Sequence, residues 1–183
     1  IASGEPLGGG RGCVAMPDGT TVLAGFAGTA GNEDLLLARL SSNGVLDTSF
    51  GAAGLSRIDL GGSESAQSII RLADGKLAVT GLTGVLDNEF LVSAPRLLFD
   101  IPSRFSDTLI ARIDPGSGLL DPDFGNDGVT LVDFGEPQLP SFAFGRGLIQ
   151  QGDGKLLAVG TLLEWGDWWY YSRIAMARID TDG

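Results

Sequence analysis

The stretches "MPDGTTVLAG" (16–25), "LADGKLAVTG" (72–81) and "QGDGKLLAVG" (151–160) are one phrase written three times. Each turns at an Asp-Gly pair and runs through apolar residues to a closing glycine. An Asp-Gly pair between two apolar runs is a strong local hairpin signal, and the expectation is a type I′ turn with positive φ at both central positions. Downstream of each phrase stand "DLLLARLSSNG" (34–44), "DTLIARIDPGSG" (107–118) and "RIAMARIDTDG" (173–183). The first two continue into "LDTSFGAAGLSRIDL" (46–60) and "LDPDFGNDGVTLVDF" (120–134).

Each copy reads as four short strands. In the second these are "AQSIIRL" (66–72), "KLAVTGL" (76–82), "DTLIARID" (107–114) and "VTLVDF" (129–134), with "PGSG" (115–118) turning between the last two and "SSNG" (41–44) doing the same in the first copy. A lone small sheet cannot bury both faces. Four-stranded units of about 55 to 60 residues in tandem are therefore the sequence form of β-propeller blades. Apolar runs in the middle strands fit sheets covered on both sides. A Greek-key sandwich, the other all-β solution, does not explain a motif recurring in phase. The fold expected is all-β: residues 1–183 as one array, with blade 1 at 10–60, blade 2 at 65–134 carrying an insertion at 85–105, and blade 3 at 145–183 without its last strand.

These residues resemble the bacterial delta-60 repeat proteins, whose repeat runs through an apolar strand, "PDGK", an apolar strand ending in Gly, then "ALARLN..G.LD.SFG..G". "PDGTTVLAG", "LLLARLSSNGVLDTSFGAAG" and "LIARIDPGSGLLDPDFGNDG" carry the likeness over nearly the whole chain outside two insertions. The resemblance implies a β-propeller in an exported or surface-associated bacterial protein, extracellular, at the cell surface or periplasmic, without a defined activity.

The copies differ at one turn. From the Asp of Asp-Gly to the Ala of Ala-Arg the spacing is 20 residues in the first copy, 37 in the second and 24 in the third. Both additions fall between the second and third strands, so "VLDNEFLVSAPRLLFDIPSRF" (85–105) and "EWGDWW" (164–169) are expected on one rim. Insertions on one face of a repeat array commonly carry its binding surface, because stacking constrains the strands and leaves the turns free. Trp165, Trp168, Trp169, Tyr170 and Tyr171, with Phe90, Leu97, Leu98 and Phe99, would form an aromatic ledge, and Glu164, Asp167, Asp87 and Glu89 would supply acceptors. Such a ledge suits a glycan or a protein, each ring pair adding about 0.5–1.5 kcal/mol beyond area burial. Two further readings stay open: the rings pack against the next blade or a folded-back lid, or they form a subunit contact.

Composition narrows the chemistry. With 12 Lys+Arg against 23 Asp+Glu the net charge is −11, which opposes binding to nucleic acid or to an anionic membrane. No histidine is present and Cys13 is alone, so Ser-His-Asp, Cys-His and His-metal chemistry and an internal disulfide are excluded. No apolar run suffices to span a bilayer, and "IASGEPLGGG" carries no secretory signal pattern. Asp121, Asp123 and Asp127 invite a calcium reading, but their spacing fails the Asp-x-Asp-x-Asp-Gly loop and the first copy keeps only Asp47. They read as a turn device, and no cofactor is expected. Arg39, Arg112 and Arg178 recur inside apolar strands, and Asp47 and Asp121 are the expected partners of the first two. "PLGGGRG" (6–12) lacks the Lys-Ser/Thr ending of a phosphate loop.

The function expected is non-catalytic binding or scaffolding. Its rival is a carboxylate-dependent, glycosidase-like hydrolase on the same face, although no acid pair is singled out and the Ser-x-Asp-x-Gly-x-x-Trp box of sialidase-type propellers is absent. Just under three blades cannot close a ring of about four to eight. Further blades of a longer chain or a homo-oligomer are expected to complete it.

Overall fold

The structure is a computed structural model that describes residues 7–84, 104–134, 141–165 and 170–183. It is all-β, and among the described residues the sheets stay open without closing a ring, as in a segment of a β-propeller. No helix of the described residues is long and apolar enough to cross a membrane.

Blade 1 is the meander β1 (Leu7–Ala15), β2 (Thr21–Thr29), β3 (Asn32–Leu40) and β4 (Leu55–Ile58). Blade 2 repeats it as β5 (Ser63–Arg71), β6 (Leu77–Gly84), β7 (Arg104–Ile113) and β8 (Val129–Val132). Blade 3 contributes β9 (Ser141–Gln150), β10 (Leu156–Trp165) and β11 (Tyr170–Ile179). The blades are not wholly separate sheets. β8 covers only Thr108 to Ala111 of β7, so the start of β7 has a free edge. β9 takes that edge with a short parallel pairing, Arg104 to Ser141 and Ser106 to Phe142, fusing blades 2 and 3 into one seven-stranded sheet.

The Asp-Gly turns form, but not as type I′. Only the glycines have positive φ, at 85°, 94° and 88° for Gly19, Gly75 and Gly154. Gly19 N–H donates to the Met16 carbonyl (3.0 Å), and Met16 N–H donates to Thr20 (2.8 Å). That is a type I turn followed by a left-handed glycine, the three-residue hairpin loop with a G1 bulge. Asp18 spends its side chain on the turn, its Oδ1 accepting from Thr20 N–H at 2.9 Å. This carboxylate tie to the residue two ahead is made with the aspartate outside the positive-φ region, as in type I.

The closing glycine has a separate cause. The first strand of every blade carries a bulge, at Gly10/Gly12, at Ala66/Ser68 and opposite Val159/Gly160. Each bulge pushes a carbonyl oxygen, of Gly9, Ser65 or Phe144, into the space that a Cβ on Gly25, Gly81 or Gly160 would occupy. A side chain there would collide with backbone.

Strand alternation gives each blade two apolar faces. The forward face of blade 1, Val22, Ala24, Leu35, Leu37, Phe50 and Ile58, packs on the backward face of blade 2, which includes Ile69, Leu77, Val79, Leu109 and Ala111. The forward face of blade 2, with Ala78, Ile110 and Phe124, meets Leu148, Leu156, Ala158 and Ile179 of blade 3 in the same way. Each fully buried leucine contributes about 1.5–3 kcal/mol of transfer free energy, so stacking is the main support of sheets this small.

Candidate functional site

The sheets have two unlike ends. At the Asp-Gly end, the recurring arginines act as clasps. Arg39 Nε binds Asp47 Oδ2 at 2.9 Å, its guanidinium lies 5.0 Å over the Phe50 ring, and its Nη1 reaches the Pro115 carbonyl of blade 2 at 2.7 Å. Arg112 repeats this: Asp121 at 2.5 Å, Phe124 at 4.9 Å and the Thr181 carbonyl of blade 3 at 2.7 Å. The partners expected from sequence, Asp47 and Asp121, are the partners found. Ser49, through its hydroxyl and N–H, and then Arg39 hold the Asp47 carboxyl below its ordinary pKa. Burial works to raise the Asp121 carboxyl, but Lys76, the Asp123 N–H and Arg112 outweigh it and keep it low. Both Asp121 oxygens are thus engaged, one with Lys76 and Arg112 and the other with Asp123 N–H. That is the turn device read from the sequence. Arg178 instead donates to Gln151 Oε1 at 2.7 Å and pairs with Asp153.

The opposite end carries the varied turns. β6 and β10 are each antiparallel to a neighbour, β7 and β9, and those two neighbours run parallel. β6 and β10 therefore point the same way, and their C-terminal ends share one end of the sheet. From there Gly84 leads into 85–103 and Trp165 into 166–169. Asp87, Glu89, Phe90, Leu97, Leu98 and Phe99, together with Asp167, Trp168 and Trp169, lie outside the described residues. Trp165 and Tyr170 pair across the end of the β10–β11 hairpin, followed by Glu164 and Tyr171. Of that second pair, Tyr171 is 55 % exposed whereas Glu164 is only 2 % exposed. Glu164 Oε2 lies 3.2 Å from the Arg173 guanidinium, an ion pair without hydrogen-bond alignment. The structure thus brings Tyr171, Glu164 and Arg173 together at this rim, with Glu164 beneath its surface.

Sequence reading missed a second acidic group at the same end. Oxygens of Asp34, Asp59 and Glu64 lie within 4.8 Å of one another, close enough to share a metal ion. Their existing bonds describe a clamp on the link between blades. Glu64, fully buried, accepts from Gly62 N–H (3.1 Å), Thr83 Oγ1 (2.9 Å) and Leu60 N–H (3.2 Å). Burial is the main force raising the Glu64 pKa, with Asp59 adding to it. Asp34 pairs with Arg57 through Oδ2, while its buried Oδ1 meets no donor, so Arg57 supplies the neutralising charge. Both Glu64 oxygens accept hydrogen bonds, and Asp34 Oδ1 is the buried oxygen of the pair left without a donor. The only sequence signal was "D" at the start of the third strand, indistinguishable from a solvated turn.

No curated protein matches the chain. Residues 17–50, from the first Asp-Gly turn through the clasp residues Arg39, Asp47 and Phe50, match the family model described as "Domain of unknown function (DUF5122) beta-propeller", which with the open, stacked blades supports a β-propeller repeat family.

Proposed function

We propose that this chain is a non-catalytic binding or scaffolding module of the delta-60 repeat type, which takes a glycan or a protein at the rim where β6 and β10 end. The observation that carries this reading is the parallel run of those two strands, which brings the strand ends leading into both insertions to one end of the sheet. The opposite end is already committed to clasps between blades. Exposed Tyr171 with the Arg173–Glu164 pair beside it gives this rim an apolar surface with a polar edge. The resemblance to delta-60 repeats supports a setting at the bacterial surface, outside the cell or in the periplasm.

The test is a glycan array and a surface-protein binding panel with wild type and Trp168→Ala/Trp169→Ala. Loss of at least about tenfold in affinity, with an unchanged melting temperature, is expected if stacking rings carry recognition. Binding by the double variant equal to wild type overturns the reading. The hydrolase alternative predicts turnover of a bound glycan that stops in Asp167→Asn and survives the tryptophan changes.

A further inference from the structure

The joint between blades 1 and 2 buries a carboxylate oxygen that nothing satisfies. Asp34, third residue of β3, is 3 % exposed. Arg57 binds its Oδ2, while the buried Oδ1 meets no donor. Such an oxygen has lost its hydration, and only a proton donor or a cation can replace it.

Two more carboxylates stand beside it. Oxygens of Asp34, Asp59 and Glu64 lie within 4.8 Å of one another. Neutral donors hold the other two in place: Asp59 Oδ1 accepts from Gly61 N–H at 2.8 Å, and Glu64 accepts from Leu60 N–H, Gly62 N–H and Thr83 Oγ1. These bonds orient the group without balancing its charge. Among the described residues Arg57 is the one cation paired with it, so three carboxylates against one guanidinium leave an excess of two negative charges. Burial first, and then Asp59, raise the Glu64 pKa, as for an acid without a positive neighbour.

The donor set says which cation fits. All three donors are carboxylate oxygens and the chain has no histidine, which favours a hard divalent ion over zinc or copper. Calcium–oxygen bonds of about 2.3–2.6 Å allow ligands up to about 5 Å apart, and calcium accepts the irregular geometry of acids drawn from separate elements. Magnesium demands a near-ideal octahedron at about 2.0–2.1 Å and sheds its waters reluctantly.

The repeat supplies a contrast. Aligned on the Ala-Arg pairs and the strand bulges, Asp107 and Asp133 stand where Asp34 and Asp59 stand, but Ala143 takes the Glu64 position. The third acid is therefore particular to the joint between blades 1 and 2. Glu64 pairs with Thr83 across β5 and β6, one residue before Gly84 leads into 85–103. The group thus sits at the root of the longer insertion.

We propose that Asp34, Asp59 and Glu64 bind one calcium ion, with Asp34 Oδ1 as its buried ligand and water in the positions the protein leaves open. The ion ties β3 and the end of blade 1 to the first strand of blade 2.

Isothermal titration of the EDTA-treated 183-residue chain with calcium chloride tests this. One ion per chain is expected, with a melting temperature that rises with calcium concentration. Asp59→Asn changes an exposed residue and should weaken binding at least about tenfold, because affinity follows the charge of the ligand set. Glu64→Gln should do the same, and circular dichroism reports whether it stays folded. Asp121→Asn, whose carboxylate is engaged by Lys76 and Arg112, should bind calcium like wild type. Magnesium chloride should bind at least about tenfold more weakly than calcium. No saturable binding at about 5 mM calcium overturns the proposal and leaves the excess charge to a proton on Glu64. Binding unchanged in folded Asp59→Asn also overturns it, since diffuse attraction to a chain of net charge −11 would behave that way. Magnesium binding as tight as calcium overturns the choice of ion.

Discussion

At the Asp-Gly end of the sheets, blades 1 and 2 are fastened to their successors by the same bonds; at the other end, no two blades are built alike. Arg39 and Arg112 make equivalent contacts to an aspartate, a phenylalanine and a carbonyl one blade ahead. At the far end, blade 1 turns tightly between Thr29 and Asn32, blade 2 inserts 85–103 and blade 3 inserts 166–169. Stacking needs one rim for registration and leaves the other free to vary. The economy is physical, since a guanidinium that ties three groups together fixes angle and spacing between blades, whereas the far-end joints, the Glu64 link and the β7–β9 pairing, differ from one blade to the next.

The comparison can be broken most severely inside the blade itself. Gly81→Ala places a methyl against the Ser65 carbonyl oxygen, and a loss of at least about 3 kcal/mol, read by denaturant unfolding, is expected. A variant of native stability would show that the bulge is not what demands glycine. Next come the clasps, which should grade by burial. Arg112→Ala leaves buried Asp121 with Lys76 as its one cation, beside the Asp123 N–H, and should cost about 2–4 kcal/mol. Arg39→Ala, whose partner is more exposed, should cost about 1–2 kcal/mol, and Arg178→Ala under about 1 kcal/mol. Equal losses at all three would remove the distinction between joined and unjoined blades.

A finer probe is pH. The folded pKa of Asp121 is depressed, so its contribution is present above the unfolded value and lost as pH falls through the folded one. The stability gap between wild type and Asp121→Asn should hold at neutral pH and close from about pH 4 downward. A gap that does not change with pH would mean that the carboxylate charge is not what holds Arg112. Smallest of all, Tyr171→Ala at the varied rim should move stability by no more than about 0.5 kcal/mol while weakening whatever that rim binds. A larger loss would assign Tyr171 to packing.

Much of this was legible in the sequence. The phase of the Asp-Gly turns gave the blades, and the Arg and Asp positions, repeated at fixed distances, gave the clasp partners. Turn type was not legible, because Asp-Gly serves both type I′ and type I with a G1 bulge, and the choice rests on the aspartate's own hydrogen bond to the residue two ahead. Nor was the parallel pairing of β7 with β9, which exists only because β8 is too short to cover its neighbour. Glu164 reads as a rim acceptor beside tryptophan, yet alternation along β10 turns it to the face packed on blade 2. The acids Asp34, Asp59 and Glu64 are brought together by a link between blades, and no local spacing announces such a meeting.

The clasps of blades 1 and 2 reach forward. Arg39 finds its outer partner 76 residues later and Arg112 finds its own 69 residues later. During synthesis each of these units therefore emerges from the ribosome unlatched, and waits for its successor's hairpin before its guanidinium can donate to the carbonyl ahead. The nascent chain locks one unit behind the growing point, and a stalled ribosome leaves its most recent unit the easiest for a protease to open.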